Sequence, residues 1–471
     1  MLEPTKQENP NPAVTVDPPR LARLVISLLL NRMADPKRLA KARDRAENAR
    51  VKAGAPHRVD YFHQPDDPYS HLAVQKLQAL ADTYDIELVP HLIRATGGKE
   101  QPFPDKLATL ARRDAASVAP YYALTFPGNA GMIPAPADTK LATRILAHAS
   151  AKEFTARASQ VSEALWSGDR ATLQSLAEKF GTTSEAETDK KLDAGSRTLK
   201  EKGHYSGATF LYAGEWFWGV DRLYHLENRL RARKAVRDGT SPLIAPRPAI
   251  DPGPRRDTKE ALTLEVYPSL RSPYTAVIFD TACALADKAG VHLVLKPVLP
   301  MVMRGVPATR TKGMYIFSDA AREAAALQVP YGKTYDPIGE PVRRAYSLYP
   351  WAASQGKGRE LLSTFLNMAF AKGERTDNDR GMRTLVERTG LNWNEAKQYL
   401  DTEDWKEEIA QNQRDMVEGM GLWGVPSFRL RGPASEPDLM VWGQDRLWLI
   451  AKEMERRIAL SQSDGPHDPP T

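Results

Sequence analysis

The 471-residue chain contains a single cysteine, Cys283. That count excludes an internal disulfide, a Cys-x-x-Cys redox pair and a thiolate-rich zinc site. The nine histidines show no His-Glu-x-x-His or comparable ligand spacing, so no metal is expected. Long apolar runs are also missing. The stretch Leu-Val-Ile-Ser-Leu-Leu-Leu at 24–30 is too short to span a bilayer, and no signal-peptide cleavage pattern follows it. A lone thiol suits a reducing compartment, and a cytoplasmic location is the default. The formal charge is only +6. Much of the basic excess falls between Arg20 and Arg58, so no nucleic-acid partner is expected for the folded body.

What is present is a soluble-protein composition, 42% apolar and 26% charged, in a chain long enough for two or three domains. Leu21, Leu24, Val25, Leu28 and Leu29 recur at helical spacing, with Asp17 before them and Pro36 after. A very basic helical stretch follows from Pro36 to Lys52. It reads as a membrane-surface or nucleic-acid arm, or more plainly as a helix packed on the body with its charges in water. Five prolines between 238 and 257 mark an extended connector that divides the chain into similar halves.

The halves repeat each other. Pro68-Tyr69 matches Pro273-Tyr274, and at the same displacement Ala79–Asp82 matches Ala284–Asp287 and Leu88-Val89 matches Leu293-Val294. Later, 207–223 parallels 425–447, the second copy carrying a longer hairpin loop. Each half reads as a strand (Arg58–Phe62; Leu262–Tyr267), a helix (Pro68–Tyr84; Pro273–Lys288) and a strand (Ile86–Leu92; Val291–Val298). A long helical stretch comes next. A hairpin (Thr209–Tyr212 with Trp216–Trp218; Ser427–Leu430 with Leu439–Trp442) and a last helix (Asp221–Arg233; Asp445–Arg457) complete the unit. The fold class is α/β, two thioredoxin-like domains, each with a helical insertion. The expected boundaries are an N-terminal helical extension (1–56), a degenerate first domain (57–237), a Pro-rich linker (238–261), a ligand-binding second domain (262–460) and a disordered tail (461–471).

Four stretches of the second half carry a family resemblance: YPSLRSPYTA (267–276), KGMYIFSDAAREAAALQVPYG (312–332), GLWGVPSF (421–428) and VWGQDRL (441–447). This half resembles kappa-class glutathione transferases and 2-hydroxychromene-2-carboxylate isomerases, relatives of DsbA-type proteins. The first half resembles them more loosely. The resemblance implies a glutathione-dependent isomerase or transferase, with glutathione as co-substrate, no metal, and a small electrophilic or aromatic substrate.

A helix start supplies partial positive charge and N–H groups to a thiolate, and a hydroxyl adds a donor. Ser272, just ahead of Pro273, holds that place, and the resemblance makes it the residue that contacts the glutathione sulfur. On spacing alone it is an N-cap. The resemblance also implies a cis bond between Val425 and Pro426, so that the Val425 backbone pairs with the cysteinyl unit of glutathione. Gln444 and Asp445 are then placed to hold the γ-glutamyl end. From position alone, Tyr267, Tyr274, Tyr315 and Trp423 are candidates to line an acceptor pocket. The GxGxxG match at 419–424 follows a helix and precedes a strand, the reverse of a dinucleotide site.

In the first half Asp67 stands where Ser272 does, and Ala208 stands at the place of Pro426. A carboxylate repels a thiolate. Of the three elements, only Asp221, matching Asp445, survives, so the first half reads as a worn, structural copy. His63 and His71 flank the worn motif and could serve another chemistry, but the plainer expectation is surface or capping residues. Cys283 reads as a buried structural thiol. The other class of function is a non-catalytic binding or scaffold protein. A DsbA-like oxidoreductase is disfavoured because no dithiol exists to exchange. The tandem copies suggest either a monomer that is internally pseudo-dimeric or a homodimer.

Overall fold

The computed structural model describes residues 16–127, 132–239, 241–254 and 262–463. The tail beyond 463 and linker residues 255–261 lie outside the described residues. The chain forms two compact units. One comprises residues 40–248; the other comprises 249–471 together with 1–39.

Two helices come first, α1 (Arg20–Ala34) and α2 (Pro36–Lys52). The unit of residues 40–248 continues with β1 (His57–His63), α3 (Pro68–Val74), α4 (Leu77–Thr83) and β2 (Ile86–Leu92). Its inserted helices are α5 (Pro104–Val118), α6 (Pro136–His148), α7 (Ala151–Trp166), α8 (Arg170–Phe180) and α9 (Glu185–Lys202). The hairpin β3 (Thr209–Tyr212) and β4 (Glu215–Trp218) leads to α10 (Leu223–Ala232). The sheet order is β2-β1-β3-β4, with β1 and β2 parallel and the other neighbours antiparallel.

The other unit repeats this order. It has β5 (Thr263–Tyr267), α11 (Pro273–Ala289) and β6 (His292–Leu295). The insertion follows, with α12 (Arg310–Ala326), α13 (Glu340–Ser354), α14 (Gly358–Asn367), α15 (Asp379–Arg388), α16 (Trp393–Ala396) and α17 (Trp405–Arg414). The hairpin β7 (Ser427–Arg431) and β8 (Leu439–Trp442) and the helix α18 (Leu447–Ser463) close the unit. The sheet order is β6-β5-β7-β8, again with one parallel pair. These are two thioredoxin-like folds, each carrying a helical insertion between its parallel pair and its hairpin. The core of this second fold gathers Phe279, Cys283, Tyr346, Leu362, Phe365 and Leu385 around the insertion.

Three local features depart from the pattern in the sequence. The helix expected over 68–84 breaks after Val74. The Gln75 side-chain amide donates to the His71 carbonyl at 3.1 Å and to the Thr125 carbonyl at 2.8 Å, occupying an acceptor that helix propagation uses. Strand β6 stops at Leu295, short of the expected Val298. Lys296 and Val298, on either side of Pro297, still donate to Val266 and Pro268. Finally, His63 and His71 are fully buried, against the expectation of surface or capping residues. The His63 Nδ1 lies 3.1 Å from the Tyr61 hydroxyl, and the His71 Nδ1 lies 2.8 Å from the Ser162 hydroxyl. Among the described residues no helix is long and apolar enough to cross a membrane.

Candidate functional site

The site forms where β5 ends and α11 begins. Ser272 has extended backbone angles and caps α11, its Oγ accepting the Thr275 N–H at 3.1 Å. Pro273 at the first helical position needs no acceptor for a missing N–H, so the sequence Ser-Pro fixes the helix start. The same Oγ donates to the carbonyl oxygen of Val425 at 3.2 Å. The Val425–Pro426 bond is cis, the isomer the resemblance implied. Ser272 is 7% exposed and Val425 9%, so both are almost buried. Among the described residues no acceptor faces the Val425 N–H.

The loop before Pro426 is held tightly. A Cβ on Gly424 would lie 1.8 Å from the Trp442 ring, so only glycine permits the approach. Trp423 packs against Trp442 with ring centroids 5.2 Å apart. The Ser427 hydroxyl donates back to the Gly424 carbonyl at 2.9 Å, and the Gly443 N–H donates to the Pro426 carbonyl at 3.0 Å. That last bond brings the start of the final helical segment beside Pro426. Gly443 has a φ of 112°, a conformation that L side chains resist, and Gln444 and Asp445 follow it. The Gln444 amide donates to Glu323 Oε2 at 2.7 Å, both residues being buried. The Asp445 carboxylate is partly exposed, with Arg446 Nη1 3.8 Å away.

The four aromatic candidates have separate surroundings. The Tyr267 hydroxyl donates to Glu265 at 2.9 Å inside the sheet. The Tyr274 hydroxyl donates to Asp319 at 2.8 Å. Tyr315 and Trp423 are both buried. A cavity of about 270 Å³ lined by Leu299, Met303, Trp405 and Ile409, with Arg343 and Lys406, includes none of the four.

Three supports of the site carry no mark in the sequence. Arg271, next to Ser272, forms a forked pair with buried Asp336 at 2.8 and 3.1 Å. Burial opposes the charge on Asp336, but Arg271 overcomes it and holds the carboxyl below its usual range. The backbone around Asp336 is in turn gripped by α1: Arg23 Nη1 donates to the carbonyls of Asp336 at 2.6 Å and Ile338 at 2.7 Å. Arg304 donates from Nε to the Leu299 carbonyl and from Nη2 to the Trp423 carbonyl, both at 2.8 Å. It clips the segment after β6 to the loop before Pro426, and burial pulls its pKa down to about 10. The Tyr346 hydroxyl donates to the Val298 carbonyl at 2.8 Å and accepts the Leu270 N–H at 3.4 Å, two residues ahead of Ser272.

The corresponding place in the first half is built differently. Asp67 caps α3, accepting the Ser70 N–H at 2.9 Å and the Ser70 hydroxyl at 2.8 Å. Burial pushes its carboxyl up to about 6. Ala208 takes the place of Pro426, since the Gly219 N–H donates to its carbonyl at 2.8 Å as Gly443 does to Pro426. Its φ of 57° is left-handed. Asp221, the counterpart of Asp445, accepts from the Tyr122 hydroxyl at 3.1 Å. Cys283 is fully buried, and burial pushes its thiol up to about 12. Among the described residues no group of three or more His, Cys, Asp or Glu is placed to hold a metal ion.

Residues 263–455 match the family model of the DSBA-like thioredoxin domain. No curated protein matches the chain. Among solved structures, a 2-hydroxychromene-2-carboxylate isomerase aligns at 16% identity with a TM-score of 0.36, over 43% of this chain and 100% of that one. A probable DsbA oxidoreductase from Streptomyces coelicolor aligns at 17% identity with a TM-score of 0.33, over 45% of this chain and 94% of that one. The cytosolic disulfide reductase DsbM from Pseudomonas aeruginosa aligns at 15% identity with a TM-score of 0.31, over 43% and 100%. Likenesses at this level say nothing about activity. The segment that holds Ser272 and Pro426 lies within the match to the DSBA-like thioredoxin domain, and the first half of the chain repeats its topology.

Proposed function

We propose that the second half binds glutathione and uses it as co-substrate in an isomerase or transferase reaction on a small electrophilic or aromatic compound. One observation carries this reading. The Ser272 hydroxyl, at the mouth of α11, shares a hydrogen bond with the carbonyl of the residue before a cis-proline. The Val425 N–H beside it faces no acceptor among the described residues. An extended tripeptide backbone has the complementary groups, one N–H and one C=O per residue.

The chemistry follows from those groups. The cysteinyl N–H of glutathione would donate to the Val425 carbonyl and its C=O would accept the Val425 N–H. The Ser272 hydroxyl then turns its hydrogen from Val425 to the sulfur. With the partial positive charge of the helix start, this lowers the thiol pKa and keeps the sulfur anionic. Asp445 is the carboxylate for the γ-glutamyl amine, and Gln444 lies beside it. In the isomerase version the thiolate adds to the β-carbon of an unsaturated carbonyl. The former double bond rotates, and elimination returns the thiolate and the electron pair. In the transferase version the enolate takes a proton from water at its α-carbon and the thioether adduct leaves.

Dithiol exchange is disfavoured by the residues themselves, since the only thiol is buried in α11 and held protonated. The test is isothermal calorimetry of glutathione with the parent chain and with Ser272→Ala, read with the absorbance of bound thiolate near 240 nm. Saturable binding with a thiolate signal that Ser272→Ala removes supports the reading. No binding by the parent chain overturns it and favours a scaffold protein.

A further inference from the structure

Helix α1 packs Leu30, Met33 and Ala34 on the core at its C-terminal end, but its first turns are docked inside out. An amphipathic helix on a globular body turns its apolar face inward. Here Leu21, Val25, Leu28 and Leu29 are 77, 57, 62 and 54% exposed, whereas Arg23 and Ser27 are 3 and 5% exposed. The polar residues of the inward face are committed. Arg23 holds the Asp336 and Ile338 carbonyls, Ser27 Oγ accepts the Asp336 N–H at 3.0 Å, and Asn31 Oδ1 accepts the Thr334 N–H. Rolling the helix to bury its leucines would strip a buried guanidinium of its acceptors, a change that opposes itself. The apolar ridge is therefore a fixed outward feature.

The charge around the ridge has one sign. Arg20, Arg32, Lys37 and Arg38 are all exposed, and none has an ion-pair partner among the described residues. Between 20 and 38 the only acid is Asp35, whose Oδ1 is taken by the Lys37 N–H at 2.9 Å. A second copy of this chain is a poor cover, because packing α1 against itself sets basic residue against basic residue in either orientation. The ridge is also convex, one helix wide, and offers no groove to a partner of fixed shape. An interfacial layer of lipid has neither requirement: it yields to a convex apolar ridge and, where anionic, attracts the flanking bases.

We propose that α1 docks this protein on an anionic lipid surface, its apolar ridge entering the headgroup boundary and Arg20, Arg32, Lys37 and Arg38 meeting lipid phosphates. The helix lies in the interface and does not cross it. This role is independent of glutathione chemistry.

The experiment is co-sedimentation of the full chain with vesicles of phosphatidylcholine alone and of phosphatidylcholine mixed with phosphatidylglycerol. The parent should pellet with the anionic vesicles at least about tenfold more tightly than with neutral ones, and release as salt rises. The double variant Val25→Glu, Leu28→Glu changes only exposed positions; it should lose binding by about tenfold or more with an unaltered unfolding midpoint. The triple variant Arg32→Gln, Lys37→Gln, Arg38→Gln should weaken binding and flatten its salt dependence. Three results would overturn the proposal: no pelleting with either vesicle, equal affinity for neutral and anionic vesicles, or a dimer in sedimentation equilibrium that the glutamate variant dissociates.

Discussion

The Ser272 hydroxyl lies 3.2 Å from the Val425 carbonyl oxygen, joining two positions 153 residues apart. One side chain thereby caps α11 through Thr275 and anchors the loop that carries Pro426. A hydroxyl does this because it accepts and donates at once. The carboxylate at the matching position, Asp67, spends its oxygens on Ser70 and Tyr69 of its own helix and has no proton to donate when ionised.

Replacing Ser272 therefore has two separable consequences. Ser272→Ala loses the cap and should destabilise the second half by about 1 kcal/mol. Ser272→Thr keeps the hydroxyl and should recover most of that. With glutathione added at about a hundredfold its dissociation constant, the parent should gain about 2.7 kcal/mol and Ser272→Ala much less. Chemical denaturation with and without glutathione reads both effects. An equal gain in the alanine variant would remove Ser272 from the binding role.

The Arg271–Asp336 pair makes a sharper stability prediction. Asp336→Ala leaves Arg271 without its fork and the Arg23-bound turn without its anchor. The expected loss is about 3 kcal/mol, at the low end for a broken buried pair because Arg271 is partly exposed. Hydrogen exchange should show α1 opening with the segment at 334–338 rather than alone. Asp336→Asn, which keeps one acceptor, should lose less.

Gly424 and Trp442 should behave as a coupled pair. Gly424→Ala places a methyl into the indole ring, so the strand-entry loop or the ring must shift, at a cost of about 1–3 kcal/mol. Trp442→Leu should remove most of that penalty. A double-mutant cycle measured by urea unfolding gives the coupling, and strict additivity would mean the close approach is not what glycine serves.

The first half carries an acid signature. Burial lowers the pKa of His63 to about 3 and of His71 to about 4, so each contributes stability that is present above about 6.5 and is lost as pH falls. Asp67 works the other way. Its pKa is raised to about 6, so its contribution is full below about 4 and fades as pH rises through 6. Between pH 4 and 6 it cancels about one histidine. Asp67→Asn should therefore steepen the rise of stability with pH by about one proton, about 1.4 kcal/mol per pH unit. Urea midpoints at closely spaced pH values measure the slope; an unchanged slope would place Asp67 at an ordinary pKa.

Cys283 gives a test of thiol chemistry. A buried thiol held protonated should react with an aromatic disulfide reagent only at the rate of unfolding, and Cys283→Ala should leave glutathione binding intact. Fast labelling of the native protein would reopen a redox role.

Much of this protein was legible residue by residue. The duplicated order of strands and helices and the Ser272 cap follow from periodicity, proline placement and a side chain that acts on an N–H group three residues away. Such interactions are local, so neighbouring residues are enough to read them. Tertiary structure alone decided which way α1 faces, that His63 and His71 are buried, that Gln444 turns to Glu323, and that Arg304 and Asp336 brace the site. Hydrophobic spacing tells which residues share a face of a helix but not whether that face meets the core or water. Backbone carbonyls such as Val425, Trp423 and Leu299 look alike in every residue, so a side chain that seeks one leaves no trace in the sequence of where it will find it.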